Sequence, residues 1–358
     1  MGALLVNLSF LMQQPTGLAT YGMNLYPWLR SLRPILLTAR PDEDFACQKV
    51  PSGMTAEQGS KGHAKRLIWT QTRLPHLYRQ RRASLLFSPI PEAPLLAGCR
   101  SVVTVHDFIP RRFPAKKLSP LALYQRYYVP QVLRQAVHVI ANSEATAQDA
   151  MGFAGVAARQ ITPIPLAYDD RHFRCLDLPT EPYFLYIGRY DPYKNLHRLV
   201  AAFAQIAPNV AADLWLAGSM DGHHTPALAA QVEHLGLSDR VKFLGYVPYG
   251  ELPELLNRAI ALVFPSLWEG FGLPVLEAMA CGTPVITSNC ASLPEVAGDA
   301  ALLVDPYQIN QIADAMRTVA TDDQARSQLR TAALRRAQQF SWKKTGDRTV
   351  EVLQRYLA

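Results

Sequence analysis

Two glutamates and two glycines lie close together in the stretch EGFGLPVLEAMACGTP, which follows the apolar run ALVFPS. Pro274 suits the first turn of a helix, because the N–H that proline lacks has no partner there. Gly282 suits the left-handed position that ends many helices, and the proline that follows it prevents the helix from continuing. The spacing therefore predicts a short helix over residues 274–281.

Gly270 and Gly272 precede this predicted helix, and without Cβ atoms they would let backbone N–H groups approach a ligand closely. A helix N-terminus attracts anions, because its first N–H groups lack partners and its dipole is positive there. Glu269 and Glu277 would not contact a phosphate at such a site, but they could accept hydrogen bonds from sugar hydroxyls. The stretch therefore predicts a ligand with phosphate in the middle and hydroxyls at each end, as in a nucleotide-sugar. The alternative is two surface glutamates on a tight connection.

Cations and a His-Asp pair follow other apolar runs. Arg189 and Lys194 lie between the run PYFLYIG and a helical stretch, where they could neutralise a diphosphate, although a surface pair near a helix start is the alternative. His106 and Asp107 directly follow SVVTV, a position that suits hydroxyl recognition.

The segment ANSEATAQD is typical of a helix start. Asn142 or Ser143 could cap this helix, and capping alone would explain both residues.

Ten apolar runs of strand length alternate with helical stretches along the chain. They are ALLVNLSF, RPILLTA, SLLFSP, SVVTVHD and HVIANS in the first half, and PYFLYIG, DLWLAG, VKFLGY, ALVFPS and TPVITSN in the second. This alternation is typical of parallel sheets covered by helices on both faces, and ligands bind at the carboxyl ends of such strands. We predict two Rossmann-like α/β domains, over residues 1–168 and 169–340, followed by an amphipathic helix over residues 341–358.

The bulk composition agrees with a two-domain globular protein. The chain has 358 residues, of which 49% are hydrophobic and 18% charged, and it is longer than a single core usually supports. No apolar run reaches membrane-spanning length, and the first residues lack the features of a signal peptide. The five cysteines include no CxxC pair, so neither a disulfide framework nor a zinc site is predicted. We expect a cytoplasmic protein.

Basic residues concentrate in the first half. Residues 1–170 carry 19 Lys and Arg against 10 Asp and Glu, a net charge of +9. Subtraction from the totals of 36 and 29 leaves 17 Lys and Arg against 19 Asp and Glu in residues 171–358, a net charge of −2. Two clusters, in which aromatic residues lie between the basic ones, contribute most of this positive charge. A solvated helix face would explain them, and the alternative is an anionic membrane surface. No recognition motif supports nucleic acid as a partner. The cluster members are Lys61, Lys65, Arg66, Arg73, Arg79, Arg81 and Arg82, and then Arg111, Arg112, Lys116 and Lys117.

The stretch EGFGLPVLE resembles the Glu-x7-Glu motif of retaining GT4-type glycosyltransferases of the GT-B fold, and the similarity covers nearly the whole chain. This resemblance implies two Rossmann-like domains that face each other across a cleft, with the C-terminal helix crossing back to the first domain. It also implies α-linked transfer of a hexose from a nucleotide-sugar to a glycan or lipid-linked saccharide, without a metal or cofactor. In agreement, the acidic triplet at residues 42–44 lacks the strand-end setting of a metal motif, and His223 and His224 lack a clear third ligand.

The resemblance also implies roles for individual residues. Arg189 and Lys194 would bind the donor diphosphate and stabilise it as it leaves. Glu269 and His106 would position the transferred sugar, and Glu277 would bind the ribose. The remaining donor-binding residues would be Gly17, Gly188, Gly218, Tyr246, Val247, Gly270, Phe271, Gly272 and Leu273, and the acceptor-side residues Asp107, Asn142 and Ser143.

Some of these assignments carry alternatives. Gly17 resembles part of the family's Gly-rich loop, but Thr16 stands where relatives often have a second glycine. Tyr246 and Val247 match the segment that holds the nucleobase, although Tyr246 could equally be a core residue. Gly218 would line the site rather than take part in chemistry.

The His-Asp element, together with NSEAT and ASLPEVAGDAA, resembles bacterial mannosyltransferases, which favours GDP-mannose as donor. UDP-glucose or another UDP-hexose is the alternative donor. The basic first domain would fit an acceptor on a lipid diphosphate and peripheral contact with the inner membrane face. Rival functions are a nucleotide-sugar epimerase, a sugar phosphorylase, a non-catalytic sugar-binding module and a dinucleotide oxidoreductase. A phosphorylase would need a longer chain, and no GxGxxG follows the first strand.

Overall fold

The computed structural model describes residues 2–12, 17–114 and 120–357. The chain divides into two compact units, of which the first comprises Met1–Leu166 with Trp342–Ala358 and the second Ala167–Ser341. These boundaries fall beside those drawn from the sequence, after residues 168 and 340. Thr16 of the predicted Gly-rich loop and Lys116 and Lys117 of the second basic cluster lie outside the described residues.

A parallel sheet of seven strands forms the centre of the first unit. The strands are β1 (Ala3–Asn7), β2 (Ile35–Thr38), β3 (Ala46–Lys49), β4 (Ala83–Ser88), β5 (Ser101–Val105), β6 (His138–Ala141) and β7 (Ile161–Pro163). Their order is β3-β2-β1-β4-β5-β6-β7. Strands β2 and β3 add to one side of β1 and strands β4 to β7 add to its other side, so the strand order reverses between β1 and β4. Central strands such as β5 are fully buried, as expected where helices cover both faces.

Helices surround this first sheet. They are α1 (Gly17–Leu25), α2 (Gly59–Thr72), α3 (Leu74–Gln80), α4 (Ile109–Arg112), α5 (Pro120–Leu123), α6 (Val129–Gln135) and α7 (Glu144–Ala154). A π-helical turn, Tyr124–Tyr128, connects α5 to α6, and short 3-10 helices lie at Tyr26–Leu32, Ala56–Gln58 and Ala158–Gln160.

The second unit repeats the plan with six parallel strands. These are β8 (Tyr183–Ile187), β9 (Asp213–Ala217), β10 (Val241–Gly245), β11 (Ala261–Phe264), β12 (Val285–Ser288) and β13 (Leu302–Val304), in the order β10-β9-β8-β11-β12-β13. Its topological switch point therefore lies between β8 and β11, where a ligand is expected.

The helices of the second unit follow its strands in sequence. They are α8 (Leu196–Ile206), α9 (Thr225–His234), α10 (Leu252–Arg258), α11 (Leu273–Ala280), α12 (Leu293–Ala297), α13 (Ile309–Thr321) and α14 (Asp323–Ala337). Short 3-10 helices lie at Pro192–Lys194, Ala207–Asn209 and Tyr249–Glu251.

The last helix, α15 (Trp342–Leu357), belongs to the first unit, which confirms the predicted return. Gly346 lies against Trp28, since a Cβ atom at residue 346 would lie 2.3 Å from the Cβ of Trp28. Thr345 Oγ1 donates to the carbonyl of Pro165 at 2.8 Å. Close contact of the Gly346 backbone with the Trp28 side chain and a partly buried hydrogen bond therefore fix this helix on the first unit.

All ten predicted strands are present, and three short strands, β3, β7 and β13, were not predicted. Each of the three lies at the edge of its sheet. An edge strand has one exposed side and needs no continuous apolar run, and the sequence ACQK of β3 has none.

One member of the first basic cluster is not on the surface. Arg66 is 6% exposed, and its Nε and Nη2 atoms each lie 2.8 Å from a carboxylate oxygen of Glu92. The interleaved Trp69 and Tyr78 belong to the core. The interpretation of this cluster as one continuous basic surface is therefore wrong at Arg66, because its charge is neutralised inside the unit.

Within the ranges described, no helix is both long and apolar enough to cross a bilayer.

Candidate functional site

The Gly-rich loop of the second unit connects β11 to α11. Gly272 caps α11 with φ +113°, and a Cβ atom there would lie 2.8 Å from Cδ2 of Leu293. Both the backbone conformation and the space therefore require glycine. Helix α11 begins one residue before the predicted start and ends at Ala280, and Gly282 takes the predicted left-handed conformation with φ +74°.

Ser292 fixes the shape of this loop through its side-chain hydroxyl. Its hydroxyl is fully buried and lies 2.9 Å from the carbonyl oxygen of Glu269 and 2.7 Å from that of Phe271. It can donate to either carbonyl, which holds the backbone on both sides of Gly270. A lone serine carries no signal in the sequence, and sequence reasoning missed it.

Lys194 and Glu269 form an ion pair at the switch point of the second sheet. Lys194 Nζ lies 2.7 Å from Glu269 Oε1, and the two side chains are 12% and 10% exposed. Lys194 follows β8 and Glu269 follows β11, and these strands are neighbours. The structure thus joins two predicted site residues that are separated by 75 positions in sequence.

Asn195 supports Lys194 from the next position along the chain. It is fully buried with φ +65°, and its Nδ2 atom donates to the carbonyls of Pro265 and Pro306 at 3.0 and 2.7 Å. These bonds tie the loop after β8 to the loops after β11 and β13. Sequence reasoning also missed this residue, whose partners lie far away in sequence.

Arg189 occupies a different environment from Lys194. Its side chain is 80% exposed and pairs with Asp191, with Nε 3.0 Å from Oδ2. A surface pair of this kind contributes little stability, so Arg189 can change partner at small cost.

Gly188 and Gly218 follow the neighbouring strands β8 and β9. Gly188 has φ +152°, and a Cβ atom at Gly218 would lie 1.9 Å from the carbonyl oxygen of Gly188. Close packing of two strand ends therefore requires glycine at residue 218, and its role as lining stays a prediction.

Glu277 lies on α11, half-buried. Burial raises the pKa of its carboxyl to about 7. No side chain in the described part of the chain forms a hydrogen bond or ion pair with this carboxyl. Glu277 is thus partly buried, and its carboxyl oxygens can still accept hydrogen bonds. A hydroxyl group of a ligand could donate to them.

Tyr246 and Val247 directly follow β10. Tyr246 is 67% exposed, so the alternative interpretation of this residue as part of the core is wrong. Val247 is half-buried, and Leu273, at the start of α11, has the same intermediate exposure.

In the first unit, His106 is held in one tautomer. Its Nε2 atom lies 2.8 Å from the carbonyl oxygen of Pro89, and because a carbonyl only accepts, Nε2 must carry the proton. Burial lowers the pKa of His106 to about 4, so the ring is neutral at physiological pH. Its Nδ1 atom is then an acceptor, and the ring is fixed edge-on against Tyr21 at 4.8 Å between centroids.

The acceptor-side residues have separate structural roles. Ser143 caps α7, accepting from the N–H of Thr146 at 3.0 Å, whereas Asn142 Nδ2 donates to the backbone carbonyl of His106 at 2.9 Å. Capping therefore explains Ser143 but not Asn142. Asp107 Oδ1 accepts from the N–H of Ile109 at 3.0 Å, which starts α4.

Gly17 is the first residue of α1. It is exposed, and a Cβ atom there would meet nothing within 4 Å. Packing therefore does not require glycine at this position.

Among the residues that the structure covers, no group of three or more His, Cys, Asp or Glu could hold a metal ion.

Two family models match the chain. One, described as "Glycosyl transferases group 1", matches residues 170–336, and one described as "Glycosyltransferase Family 4" matches residues 15–172. Together they cover most of both units.

Similar curated proteins carry mannosyltransferase names. O-antigen chain mannosyltransferase B of Escherichia coli is 32% identical over 70% of this chain and 69% of its own length. O-antigen chain mannosyltransferase RfbU of Salmonella typhimurium is 27% identical over 85% of this chain and 87% of its own.

Solved structures share the fold over nearly the full length. Sucrose-phosphate synthase from Thermosynechococcus elongatus superposes with a TM-score of 0.77 at 21% identity, covering 99% of each chain. HepE of Anabaena in complex with UDP-glucose gives a TM-score of 0.75 at 20% identity, covering 98% of this chain and 99% of its own.

Proposed function

Because this chain belongs to the GT4-type glycosyltransferases of the GT-B fold, we propose that it transfers a hexose, with mannose favoured, from a nucleotide-sugar to a glycan or lipid-linked saccharide. The transfer retains the α-configuration and requires no metal. The observation that carries this proposal is the buried Lys194–Glu269 pair beside the N-terminus of α11, at the switch point of the second sheet.

The diphosphate of the donor fits the positive groups at this point. Lys194 supplies a cation that is already fixed in place, and α11, which begins after Gly272, directs the positive end of its dipole toward the same loop. Arg189 exchanges Asp191 for the diphosphate at small cost, because its present pair is exposed. Charge that develops on the departing diphosphate would meet Lys194, whose position is already fixed, and Arg189 once it has left Asp191.

Glu269 is a poor nucleophile in this arrangement. One of its oxygens already accepts a charge-assisted hydrogen bond from Lys194, which lowers the reactivity of that oxygen toward the anomeric carbon. We therefore favour front-face attack, in which the leaving diphosphate helps to take the acceptor proton. The second oxygen of Glu269 would accept from a hydroxyl of the transferred sugar.

Glu277 and His106 are assigned to other hydroxyls. Glu277 would accept from the ribose once it is ionised, which fits its lack of a protein partner. His106 would accept from the transferred sugar through Nδ1, since its Nε2 proton is committed to Pro89.

The choice of donor rests on the relatives. Two carry mannosyltransferase names, which favours GDP-mannose, while HepE was solved with UDP-glucose, which keeps UDP-hexoses as the alternative. A nucleotide-sugar epimerase or a sugar-binding module is the remaining alternative.

The test is nucleotide release from a panel of GDP- and UDP-hexoses, with and without saccharide acceptor and with EDTA present. We expect one donor to be hydrolysed slowly alone and faster with acceptor, and we expect Glu277→Ala to lose this release. Glu233→Ala, on an exposed position of α9, is the control and should behave as wild type.

The outcomes separate the alternatives. Release that does not depend on any acceptor supports an epimerase, and donor binding without release supports a binding module. Loss of activity in EDTA that added Mg²⁺ restores would contradict metal independence. Anomeric analysis of the product decides between retention and inversion.

A further inference from the structure

A buried ion pair of the first unit lies on the loop that follows β4, outside the set of candidate site residues. Arg66 of α2 and Glu92 of this loop have side chains that are 7% and 1% exposed. The guanidinium binds the carboxylate with two parallel hydrogen bonds, each 2.8 Å long. Because burying two charges costs desolvation free energy that apolar side chains of similar volume would not, stability alone is a weak reason for such a pair.

Further hydrogen bonds hold the Arg66 guanidinium in one orientation. Its Nη1 atom donates to the carbonyl of Met54 at 2.8 Å, and its Nη2 atom lies 2.5 Å from Nδ1 of His63. Since a guanidinium only donates, Nδ1 of His63 must accept, so this ring is neutral. Burial, and then the charge of Arg66, lower the pKa of His63, which agrees with a neutral ring. Arg66 is therefore held by three different partners.

The loop that carries Glu92 is bound by two separate helical elements. Tyr124 Oη donates to Glu92 Oε1 at 3.2 Å, and Tyr128 Oη donates to the carbonyl of Ala93 at 2.8 Å. These tyrosines are the first and last residues of the π-helical turn, and their rings stack at 5.3 Å. From α2, Gln71 Nε2 also donates to the carbonyl of Ala93, at 3.0 Å. Residues 92 and 93 are thus fixed both by α2 and by the π-helical turn.

A stiff turn connects Glu92 to the carbonyl that binds His106. The N–H of Glu92 donates to the carbonyl of Ile90 at 2.7 Å, which closes a three-residue turn. Pro89 and Pro91 each restrict their own φ angle, so this stretch has little freedom of its own. The carbonyl of Pro89 then accepts from Nε2 of His106 at 2.8 Å. The position of Glu92 therefore controls where this carbonyl lies.

We propose that Glu92 is a positioning residue for His106 and acts through the carbonyl of Pro89. Arg66 and Tyr124 hold the carboxylate of Glu92, and the turn transmits its position to Pro89. The carbonyl keeps the proton of His106 on Nε2, which leaves Nδ1 as an acceptor. This tautomer of His106 does not depend on the proposed function, whereas the effect of Glu92 on sugar transfer rests on it.

The first measurement is the tautomer of His106, by two-bond proton–nitrogen NMR correlation on protein that contains nitrogen-15 histidine. The signals of His106 are identified by their loss in His106→Gln. We expect wild type to show predominantly the Nε2–H form at neutral pH. Glu92→Gln should shift the tautomer ratio at least about fivefold toward Nδ1–H, as expected when one buried hydrogen bond is weakened. The measurement needs neither donor nor acceptor.

The second measurement is steady-state kinetics, which depends on the proposed function. Glu92→Gln should lower kcat about tenfold and change the donor KM little, because a misplaced His106 affects orientation more than donor affinity. The two measurements keep the two proposals apart. A wild-type protein without transfer activity contradicts the proposed function, and the NMR result still decides the role of Glu92. An active protein whose tautomer ratio is unchanged in Glu92→Gln contradicts the positioning role alone.

A second variant keeps the test valid if Glu92→Gln, which leaves Arg66 without its counter-charge, does not fold. The double variant Arg66→Met, Glu92→Met replaces the ion pair by apolar side chains of similar length, a change that proteins often tolerate. Because apolar contacts are non-directional, we expect a folded protein with the tautomer ratio shifted as in Glu92→Gln. Tyr124→Phe removes one donor to Glu92 and should shift the ratio only about twofold.

A matched control exists in the second unit. Asp213 pairs with Arg240 and Lys242 at 3.0 and 2.9 Å, and Arg240 also donates to a backbone carbonyl, that of Ala207, as Arg66 does to that of Met54. Asp213 is the first residue of β9, so it lies at the amino end of that strand. Asp213→Asn should lower stability in thermal unfolding and leave the tautomer of His106 as in wild type.

Three results would overturn the proposal. The first is a wild-type tautomer ratio in either folded variant of Glu92, which would leave the ion pair with a role in stability alone. The second is an equal shift in Asp213→Asn, and the third is a wild-type protein in which His106 is mainly in the Nδ1–H form. If neither variant of Glu92 folds, Tyr124→Phe supplies the test, and an unchanged ratio in that variant counts against the proposal.

Discussion

The candidate site residues of the two units differ in their chemistry. In the second unit the site residues are charged, with Lys194, Glu269 and Glu277 near a helix N-terminus. In the first unit the central side chain is neutral, since burial lowers the pKa of His106 to about 4, and its neighbour Asn142 is an amide bound to the backbone. Under the proposed function this difference divides the work, since the charged site would take the diphosphate and the neutral site would take hydroxyls.

The largest expected effect comes from the charged site. Lys194→Met removes the fixed cation and leaves Glu269 buried without its partner. We expect kcat/KM to fall about 1,000-fold, the loss typical of one preorganised donor, and the free energy of unfolding to fall by about 3 kcal/mol. Steady-state kinetics and urea denaturation measure the two.

Lys242→Met is the control for this variant. Lys242, like Lys194, pairs with a carboxylate, in this case that of Asp213, but its side chain is 48% exposed. Its loss should therefore change the free energy of unfolding by less than about 1 kcal/mol and leave activity intact. Comparable losses in the two variants would show that the buried pair has no special role.

The second effect is a pH dependence that belongs to the charged site alone. The folded-state pKa of Glu277 is raised from 4.5 to about 7, so donor binding to the ionised form should strengthen about tenfold between pH 6 and 8. His106, with a pKa of about 4, should contribute no change in this range. Donor Kd measured from pH 5.5 to 8.5 checks both statements.

Glu277→Gln sharpens this prediction. Because the folded protein binds more protons than the unfolded chain between pH 4.5 and about 7, wild-type stability falls as pH rises through this window and stays low above it. The glutamine variant should lose both this decline and the pH dependence of donor Kd. A wild-type pH profile retained in Glu277→Gln would assign the titration to another group.

The smallest expected effect lies in the first unit, where neighbouring residues have different roles. Asn142→Ala releases the backbone carbonyl of His106 and should lower kcat about fivefold with little change in donor KM, as for a positioning residue. Ser143→Ala removes the α7 cap and should cost about 1 kcal/mol of stability with kcat unchanged. Equal kcat in the two variants would mean that Asn142 does not position His106.

Sequence reasoning recovered those parts of the fold and site that are encoded locally. Gly272, Gly282 and the ends of α11 follow from the conformational preferences of glycine and proline over a few residues. The central strands follow from unbroken apolar runs, because both their faces are buried. Position after such a strand then predicted that Lys194 and His106 lie at the carboxyl ends of their sheets, as the structure shows.

The rest depends on contacts between distant segments. Nothing near Ser292 or Asn195 in sequence indicates that each binds carbonyls on loops far along the chain. The burial of Arg66 depends on Glu92, which lies 26 positions away. The local sequence makes either Asn142 or Ser143 a candidate cap, and only the tertiary structure brings Asn142 to His106.

The return of α15 to the first unit has a consequence for biosynthesis. A ribosome completes residues 167–341 before it makes the helix whose Gly346 packs on Trp28. Until residues 342–358 are made, the first unit lacks the helix that packs on Trp28. A released chain that ends at residue 341 would contain every residue of the second unit but not the last helix of the first, and the incomplete unit is the half that carries His106.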